Sequence, residues 1–512
     1  MTALETLKQY FGYNTFRSGQ ETLISGILAG KDVLGIMPTG AGKSICFQIP
    51  ALMMDGITLI VSPLISLMKD QVNALTQSGA AAAFINSSLT QRQIEKALHN
   101  AEKGMYKLIY VAPERLPTSE FMSFVRSVKI SMLTVDEAHC ISQWGQDFRP
   151  SYAQIPEFIA ELPLRPVVSA FTATATPRVR KDIVELLKLN DPQILVTGFD
   201  RSNLYFDVRK PKDKYKTLTD FLSDKKDRSG IIYCGTRKTV EEVCALLQCD
   251  GYGAARYHAG LADSERRGNQ DDFLYDRAQI MVATNAFGMG IDKSNVSFVV
   301  HYNMPKDLES YYQEAGRAGR DGGPADCVLL YSGQDVRINE WMIENNKDAQ
   351  YADKETEAVL KERGRKRLRD MTFYSTTTNC LRGFILKYFG ETPPNYCGAC
   401  SRCNKELQPQ QTLEQHEPEK RYERKTRRSA VKRSVNADLF EALRTLRLEI
   451  SKEQSVPAYV IFPDTTLASM CQKLPRTREE LLNVPGVGRV KLERYGDRFL
   501  DALKNFSFLG RL

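Results

Sequence analysis

Residues 32–44 read DVLGIMPTGAGKS, and this stretch is the clearest indication of the fold. A short apolar run precedes a loop with two glycines, and an apolar helical pattern follows, which is the order of strand, phosphate-binding loop and helix. Gly40 and Gly42 let main-chain N–H groups turn toward phosphate oxygens, while Lys43 would bridge the outer phosphates and Ser44 would hold Mg²⁺. The predicted nucleotide contacts of this loop are Thr39, Gly40, Ala41, Gly42, Lys43 and Ser44.

Apolar runs of this kind alternate with helical patterns from about residue 30 to residue 330. They predict buried parallel strands, each followed by a small or polar residue where a loop begins. In such sheets, ligands bind at the carboxyl ends of the strands. The predicted fold class is therefore α/β, with parallel-sheet domains over 1–198 and 199–335 and a crossover at 199–216. The runs are DVLGIM, TLIVSP, KLIYVAP, MLTVDEAH, VVSAFTAT, GIIYCGT, QIMVATN and SFVVHYN.

The chain changes character after residue 335. Charged helical sequence over 336–403 leads to a cluster of cysteines and predicts a helical metal-binding module. Residues 404–435 are rich in Gln, Glu, Lys and Arg with few apolar residues, which predicts a flexible charged linker. Apolar periodicity returns over 436–512 and predicts a small all-helical domain.

Composition limits the classes of protein to which the chain can belong. Its 512 residues exceed the size of a single hydrophobic core. No apolar run approaches the ~20 residues that span a bilayer, so no membrane association is expected. The N-terminal sequence has no export or organelle signal, and the expected location is the cytoplasm. The net charge of +8 and the basic runs at 361–369 and 421–433 permit a nucleic-acid partner, although each run also fits a solvated surface.

Residues 132–139 read MLTVDEAH, which places two acids at the end of another predicted strand. Asp136 would bind Mg²⁺ through water, and Glu137 would polarise the attacking water. An acidic pair at a helix N-terminus is the less favoured alternative, because a phosphate-binding loop lies upstream. Positive charge opposite the γ-phosphate would come from the sequence YYQEAGRAGRD, where Arg317 and Arg320 are predicted to share a helical face. An arginine finger of this kind supplies a rate factor of about 10³–10⁵.

Four of the eleven cysteines cluster late in the chain. Turns in the sequence YCGACSRC bring neighbouring thiolates close enough to share one ion. Four thiolates in a reducing compartment indicate a closed tetrahedral Zn²⁺ site with a structural role, and an iron–sulfur cluster is the alternative from ligand type alone. The predicted ligands are Cys380, Cys397, Cys400 and Cys403.

The order of these motifs resembles that of the RecQ family of superfamily 2 DNA helicases, over nearly the whole chain. The resemblance also rests on the segments FGYNTFRSGQ, VSPLISLMKDQ, VAPER, FTATAT, YCGTRK and ATNAFGMGIDK. It implies two RecA-like domains, zinc at the cysteine cluster, and an HRDC-like domain at the C-terminus. In the segment FGYNTFRSGQ it implies that Gln20 reads the adenine edge, with Tyr13 stacking and Arg17 nearby.

The resemblance implies a function as well. The expected activity is that of an ATP- and Mg²⁺-dependent DNA helicase that moves 3′ to 5′ on single strands and unwinds duplex DNA in repair and recombination. The expected partners are single-stranded DNA and tailed or branched duplexes, with a single-strand-binding protein as a protein partner. A bacterial member would be associated with the nucleoid.

The segment CISQWGQDFRPSY directly follows the acidic motif and resembles the aromatic-rich loop of the family. Trp144 and Phe148 would stack on single-stranded bases, at about 1–3 kcal/mol per base, and Arg149 would contact phosphate. Packing in a hydrophobic core is the alternative for Trp144. Because the loop follows Asp136 and Glu137, it is predicted to report DNA occupancy to the ATP site.

One departure from the family concerns the winged-helix domain that normally follows the zinc module. The segment 404–435 is too short and too polar for such a fold, which weakens the expectation of efficient strand separation. A DNA-stimulated ATPase or translocase that remodels or anneals strands with poor unwinding is therefore the alternative function. A DNA-binding module with vestigial hydrolysis is disfavoured by the intact motifs. Near the C-terminus, VPGVGRVK predicts either a hairpin whose glycine amides approach a phosphate or an ordinary helix–helix turn.

Overall fold

The structure of the chain is a computed structural model. The fold class predicted from the sequence is confirmed, with two parallel α/β sheets, a helical module that holds four cysteines, and a helical C-terminal domain. The predicted linker at 404–435 lies, apart from Asn404, outside the described part of the chain. The described residues are 1–145, 147–225, 228–287, 293–345, 354–404, 437–454 and 456–508. No helix within these ranges is both long and apolar enough to cross a membrane.

The first sheet contains seven parallel strands: β1 Val33–Ile36, β2 Ile57–Val61, β3 Ala82–Ile85, β4 Leu108–Val111, β5 Ile130–Val135, β6 Val167–Thr172 and β7 Gln193–Val196. Their spatial order is β3-β4-β2-β5-β6-β1-β7, so the first strand in sequence lies between the last two. Alternate residues of β1 enter two different hydrophobic clusters, because helices cover both faces of the sheet. The helices of this domain are α1 Ala3–Thr6, α2 Gln20–Leu28, α3 Lys43–Met53, α4 Ile65–Gln77, α5 Gln91–Glu102, α6 Ser119–Ser127, α7 Ile155–Glu161 and α8 Pro177–Leu186, with a π-helical turn at Leu7–Phe11.

The second sheet contains six parallel strands: β8 Leu204–Arg209, β9 Ser229–Tyr233, β10 Ala254–Tyr257, β11 Ile280–Ala283, β12 Val296–His301 and β13 Ala325–Leu330. Their spatial order is β10-β11-β9-β12-β13-β8. The helices of this domain are α9 Lys214–Leu222, α10 Arg237–Cys249, α11 Asp263–Leu274 and α12 Leu308–Ala315.

The eight strands predicted from apolar runs correspond to β1, β2, β4, β5, β6, β9, β11 and β12. Five strands were not predicted. One of them, β8, lies inside the segment 199–216, for which the sequence predicts only a crossover between the two sheets. It forms an edge of the second sheet, where a strand pairs on one side and need not be apolar throughout.

The metal-binding module packs against the second sheet. Its helices are α13 Gly333–Glu344, α14 Lys354–Thr376 and α15 Leu381–Tyr388. Past α15, Cys400 pairs with Phe206 of β8, and the Ser401 N–H donates to the Phe206 carbonyl at 2.9 Å. Leu368, Tyr374 and Leu381 of this module enter the same hydrophobic cluster as residues of both sheets, so the module shares the core of the motor domains.

The C-terminal domain has a hydrophobic core of its own, built by helices α16 Ala437–Gln454, α17 Ala458–Ile461, α18 Asp464–Lys473, α19 Arg478–Leu482 and α20 Arg489–Phe508. It docks on the first domain, where the Gly486 N–H donates to the Gly12 carbonyl at 3.0 Å and Arg494 donates to Gln77 Oε1 at 2.7 Å. The hairpin VPGVGRVK therefore does not present the Gly486 amide to a phosphate, because that amide bonds to Gly12.

Candidate active site and its surroundings

The phosphate-binding loop lies between the carboxyl end of β1 and the first turn of α3. Gly40 and Gly42 have φ angles of +87° and +84°, a left-handed conformation that side chains disfavour. A methyl group on Gly42 would also lie 2.5 Å from Nε2 of Gln20. Both glycines are therefore needed for the shape of the loop, which leads at Lys43 into α3. The first N–H groups of a helix lack intrahelical carbonyl partners and favour an anion.

The residues predicted to contact the adenine hold the phosphate-binding loop in this structure. Gln20 Nε2 donates to two carbonyls of the loop, at 3.3 and 3.0 Å, and Gln20 Oε1 accepts from the Arg17 main-chain N–H at 2.8 Å. The Arg17 guanidinium donates to the Gly40 carbonyl. Tyr13 lies nearby in the chain with its side chain exposed. This segment therefore braces the loop and leaves an aromatic ring open to solvent.

Asp136 and Glu137 follow the carboxyl end of β5 and face the phosphate-binding loop. Burial, and then the neighbouring Glu137 carboxylate, raise the pKa of Asp136 to about 7. Burial also opposes ionisation of Glu137, but the Lys43 ammonium and His139 outweigh it and lower the pKa of Glu137. Glu137 adopts a φ of +47°, a strained conformation for a residue other than glycine and one that functional sites often retain.

His139 and Tyr152 connect these acids to their surroundings, and neither residue was predicted from the sequence to have a role in the site. His139 Nδ1 lies 2.7 Å from the Thr172 hydroxyl at the end of β6 and 3.3 Å from Glu137 Oε2. The fully buried Tyr152 donates its hydroxyl to the Asp136 carbonyl at 2.8 Å. Tyr152 ends the aromatic-rich loop, so the loop is attached directly to the strand end that carries the acids. In the sequence, this contact is indicated only by a tyrosine at the end of a polar loop.

A cavity of about 250 Å³ lies between the two domains. The phosphate-binding loop, Asp136 and Glu137 form its wall in the first domain, and Arg317 and Arg320 form its wall in the second. Arg317 is nearly buried, with 6% of its surface exposed, and its charge contributes to the lowered pKa of Glu137. The structure therefore brings together the cations and the acids that were predicted from separate motifs.

The prediction that the two arginines share a helical face is wrong. Helix α12 ends at Ala315, and the chain continues as a turn that contains Gly316 and Gly319. Gly319 has a φ of +58°, which allows the turn but not a further helical residue. Arg317 and Arg320 reach the same cavity from this turn rather than from a helix.

The indole ring of Trp144 lies between two guanidinium groups. The Cζ atoms of Arg178 and Arg363 are 3.1 and 3.5 Å from the ring centroid. At these distances two groups cannot share one face, so they cover opposite faces of the ring. Arg363 belongs to α14 of the metal-binding module, and Arg367 of the same helix donates to the Trp144 carbonyl at 2.6 Å. Trp144 is half-buried against the core. This environment is intermediate between the two alternatives for Trp144, an open surface for base stacking and packing in a hydrophobic core.

The other residues assigned to DNA have different environments. Phe148 is 40% exposed and lines a cavity with Trp144. Arg149 bonds to Asp147 Oδ2 at 3.0 Å and donates to the Pro63 carbonyl at 3.0 Å. The sequence assigned Arg149 to phosphate, whereas here its guanidinium fixes the base of the aromatic-rich loop.

The four clustered cysteines fit a zinc ion. Their Sγ atoms all lie within 4.8 Å of one another, with Cys397 and Cys403 at 3.8 Å and Cys380 and Cys400 at 3.9 Å. Tetrahedral zinc with Zn–S bonds of about 2.3 Å places sulfurs ~3.8 Å apart. A four-iron cluster needs a wider cage of thiolates, so the distances favour zinc. Burial opposes ionisation of Cys400, but main-chain amides that donate to its sulfur lower its pKa to about 7.

We expect one zinc ion per chain, and we expect Cys397→Ser to cause loss of soluble protein. A structural zinc site contributes an apparent ~10–16 kcal/mol to local folding, and here the ligand Cys400 also pairs with the edge of the second sheet. The measurement is elemental analysis and yield of purified protein. Cys249→Ser, which alters an exposed cysteine elsewhere, is the control and should retain zinc. Active parent protein without zinc would refute the assignment.

Comparison with known protein families accounts for most of the chain. The model described as "DEAD/DEAH box helicase" matches residues 17–183, and "Helicase conserved C-terminal domain" matches 213–322. The model "RecQ zinc-binding" matches 333–404 and "HRDC domain" matches 436–503. The last two matches leave only the short segment 405–435 between them.

Two curated bacterial relatives match over nearly their full length. The ATP-dependent DNA helicase RecQ of Bacillus subtilis is 39% identical over 592 aligned positions, covering 99% of both chains. RecQ of Haemophilus influenzae is 35% identical, covering 98% of this chain and 96% of the relative. Because this chain has 512 residues, many of the 592 aligned positions are gaps in it.

Among solved structures, the DEAD-box helicase Mss116 bound to single-stranded RNA has a TM-score of 0.56 and 17% identity, covering 75% of this chain and 89% of that chain. This likeness supports the two-domain fold alone. Two RecA-like domains with a phosphate-binding loop, paired acids and paired arginines around one cleft define an ATP-driven helicase motor. Together with the zinc-binding and HRDC matches and the two full-length relatives, they show that this chain belongs to the RecQ family. It is an ATP-dependent DNA helicase that binds ATP and zinc.

Proposed function

We propose that this enzyme uses ATP and Mg²⁺ to move 3′ to 5′ along single-stranded DNA and to unwind tailed or branched duplexes in DNA repair and recombination. The observation that carries the proposal is the interdomain cavity, where Lys43 and Glu137 of one domain face Arg317 and Arg320 of the other. A cycle of cleft closure and opening around ATP is the motion that such a site couples to stepping. We place the enzyme in the cytoplasm, on the nucleoid in a bacterium, with a single-strand-binding protein as the first protein partner to test.

At the ATP site, each residue has a role that follows from its position. Lys43 contacts the outer phosphates, and the ionised Glu137, whose pKa is lowered by Lys43, accepts a hydrogen bond from the attacking water. Arg317 and Arg320 place positive charge where the transferred phosphoryl group gains negative charge. We place the adenine beside Tyr13, Arg17 and Gln20 at the other side of the loop, where Arg17 and Gln20 would exchange their present bonds to the loop for bonds to the base.

The residues present also fit a Mg²⁺ ion. Ser44 and Asp136 line the same cavity and offer a hydroxyl and a carboxylate, the oxygen ligands that Mg²⁺ prefers. Bound Mg²⁺ would neutralise phosphate charge. The pKa of Asp136 is raised because Lys43 and His139 do not offset its burial, and a divalent cation would supply the missing positive charge.

The aromatic-rich loop supplies the coupling between DNA and hydrolysis. Its last residue, Tyr152, holds the Asp136 carbonyl, and its first residues follow His139. Stacking of a base on Trp144 requires that Arg178 or Arg363 leave a face of the ring, since both faces are covered. The DNA backbone offers the displaced guanidinium a phosphate as a new partner. Binding of a strand therefore changes the loop that is attached to the acids through Tyr152.

We expect Trp144→Ala to keep basal ATPase activity and to lose at most about 1–3 kcal/mol of DNA affinity, while stimulation by single-stranded DNA falls sharply. The reason is that Trp144 contacts the two arginines and is not among the residues that line the ATP cavity. The measurement is ATPase with and without DNA, together with thermal melting. Trp341→Ala alters the other tryptophan, which is 66% exposed on α13, and should behave as the parent. A Trp144→Ala enzyme that melts like the parent and is fully stimulated would eliminate the coupling.

The short segment of chain between the zinc module and the C-terminal domain favours a second function. Only the segment 405–435 separates the two family matches, and the full-length relatives place many more residues opposite gaps in this chain. A winged-helix domain does not fit into so short a segment. The alternative is therefore a DNA-stimulated translocase or strand-annealing remodeller that unwinds poorly.

One assay separates the two functions. ATPase and strand separation are measured on a 3′-tailed, a 5′-tailed and a blunt duplex of the same sequence, with and without Mg²⁺. The proposal predicts Mg²⁺-dependent unwinding of the 3′-tailed duplex above all. DNA-stimulated ATPase with no unwinding of any duplex would favour the alternative, and preference for the 5′ tail would overturn the direction.

A further inference from the structure

Arg201 lies in the connection between the two sheets, between the end of β7 and the start of β8. Its Nη1 donates to the carbonyls of Thr39 and Gly316 at 3.0 and 2.6 Å. Its Nη2 donates to the carbonyls of Ala318 and Gly319 at 3.0 and 2.5 Å. All four N–H groups at the ends of the guanidinium are used, and every acceptor is a main-chain oxygen of the active site.

Three of these acceptors belong to the turn that carries the two catalytic arginines. The carbonyls at the end of a helix lack partners and carry partial negative charge, so a guanidinium is a suitable cap for the end of α12. Asn203 donates to the Gly319 carbonyl at 2.9 Å and extends the same support. Because the carbonyls on either side of Arg317 and the carbonyl before Arg320 are bonded, both arginines project from a fixed backbone.

The fourth acceptor, Thr39, belongs to the phosphate-binding loop of the other domain. The loop and the turn touch here, because a methyl group on Gly316 would lie 3.4 Å from Thr39 Cβ and one on Gly40 would lie 3.3 Å from Arg320 Cα. Arg201 sits at this junction and bonds to both sides of it. A lysine cannot replace it, since a single ammonium has no planar fork to span four acceptors.

We propose that Arg201 is a positioning residue for ATP hydrolysis, which holds the turn of Arg317 and Arg320 in register with the phosphate-binding loop when the cleft is closed. The inference rests on the proposed role of those two arginines around the outer phosphates. A misplacement of about 1 Å in a catalytic group costs on the order of 10²-fold in rate, so a residue that touches no substrate can still control turnover.

The test is a set of steady-state measurements at saturating single-stranded DNA, which give kcat and KM for ATP. Arg201→Ala should lower kcat by about 10²-fold, with little change in KM because the phosphate-binding loop itself is intact. Arg201→Lys should be similarly slow and covers the case in which the alanine variant does not fold. Asp200→Asn breaks the neighbouring ion pair with Arg382, outside the cavity, and should keep kcat within about twofold of the parent.

A double-mutant cycle shows whether Arg201 acts through the arginine turn. If it does, Arg201→Ala combined with Arg317→Ala should be no slower than Arg317→Ala alone, within about a factor of 2. Folded Arg201 variants with parental kcat, or a fully additive loss in the double variant, would overturn the inference. Arg317→Ala with parental turnover would instead overturn the proposed role of the finger, so the two failures are distinguishable.

Discussion

Replacing Lys43 with alanine is expected to abolish ATP turnover while binding of single-stranded DNA persists. Lys43 begins α3 beside the acids, and its ammonium is the charge that most lowers the pKa of Glu137. Its loss would remove both the proposed contact to the outer phosphates and a cation that lowers the pKa of Glu137. The aromatic-rich loop, which is the proposed DNA contact, makes no use of this side chain.

The measurement is ATPase activity together with DNA binding by fluorescence anisotropy. Lys31→Ala serves as the matched control, because Lys31 is exposed just before the amino end of β1 whereas Lys43 lies beyond its carboxyl end. That variant should hydrolyse ATP like the parent. A Lys43→Ala enzyme with turnover within about tenfold of the parent would contradict the assignment.

Arg317→Ala and Arg320→Ala are each expected to lower turnover by at least about 10³-fold, with nucleotide binding largely kept. Both side chains line the cavity from the second domain, where they add charge in the transition state more than in the ground state. We favour Arg317 as the finger, since it is nearly buried and its charge acts on Glu137.

Turnover and nucleotide affinity must be measured separately for the two variants. Arg337→Ala, an exposed arginine on α13, is the control for loss of a positive charge in the same region of the chain. Loss of nucleotide binding without an effect on rate, in either cavity variant, would show that the arginine binds substrate and does not act as a finger.

The sequence predicted the central strands well and the edge strands poorly. The central strands β1, β5 and β6 are covered on both faces and flanked on both sides, so their sequences are predominantly apolar. The four edge strands β3, β7, β8 and β10 all escaped prediction, since a strand with one neighbour can carry polar residues. Strand β8, for example, contains Asp207 and Arg209, which pair with each other.

Site residues were predictable where the chemistry is local in sequence. The phosphate-binding loop, the acids and the last three cysteines each occupy one short segment, whose spacing fixes the chemistry. The contacts of Trp144 and Arg201 were not predictable, because their partners lie far along the chain. Arg363 belongs to the metal-binding module, and the whole second sheet separates it from Trp144 in sequence. The carbonyls that accept hydrogen bonds from Arg201 belong to two separate motifs.

The position of β1 has a consequence for synthesis of the protein. This strand is the first to be translated, but its two neighbours in the sheet are β6 and β7. It therefore cannot pair until β6, which begins at Val167, has been synthesised about 130 residues later. At typical translation rates of 5–20 residues per second the wait is roughly 7–26 s. During that time an apolar strand and the loop behind it have no sheet to join, and unpaired strands are prone to association with other chains. While the ribosome passes from codon 37 to codon 166, the nascent chain therefore contains an apolar strand without either of its sheet neighbours.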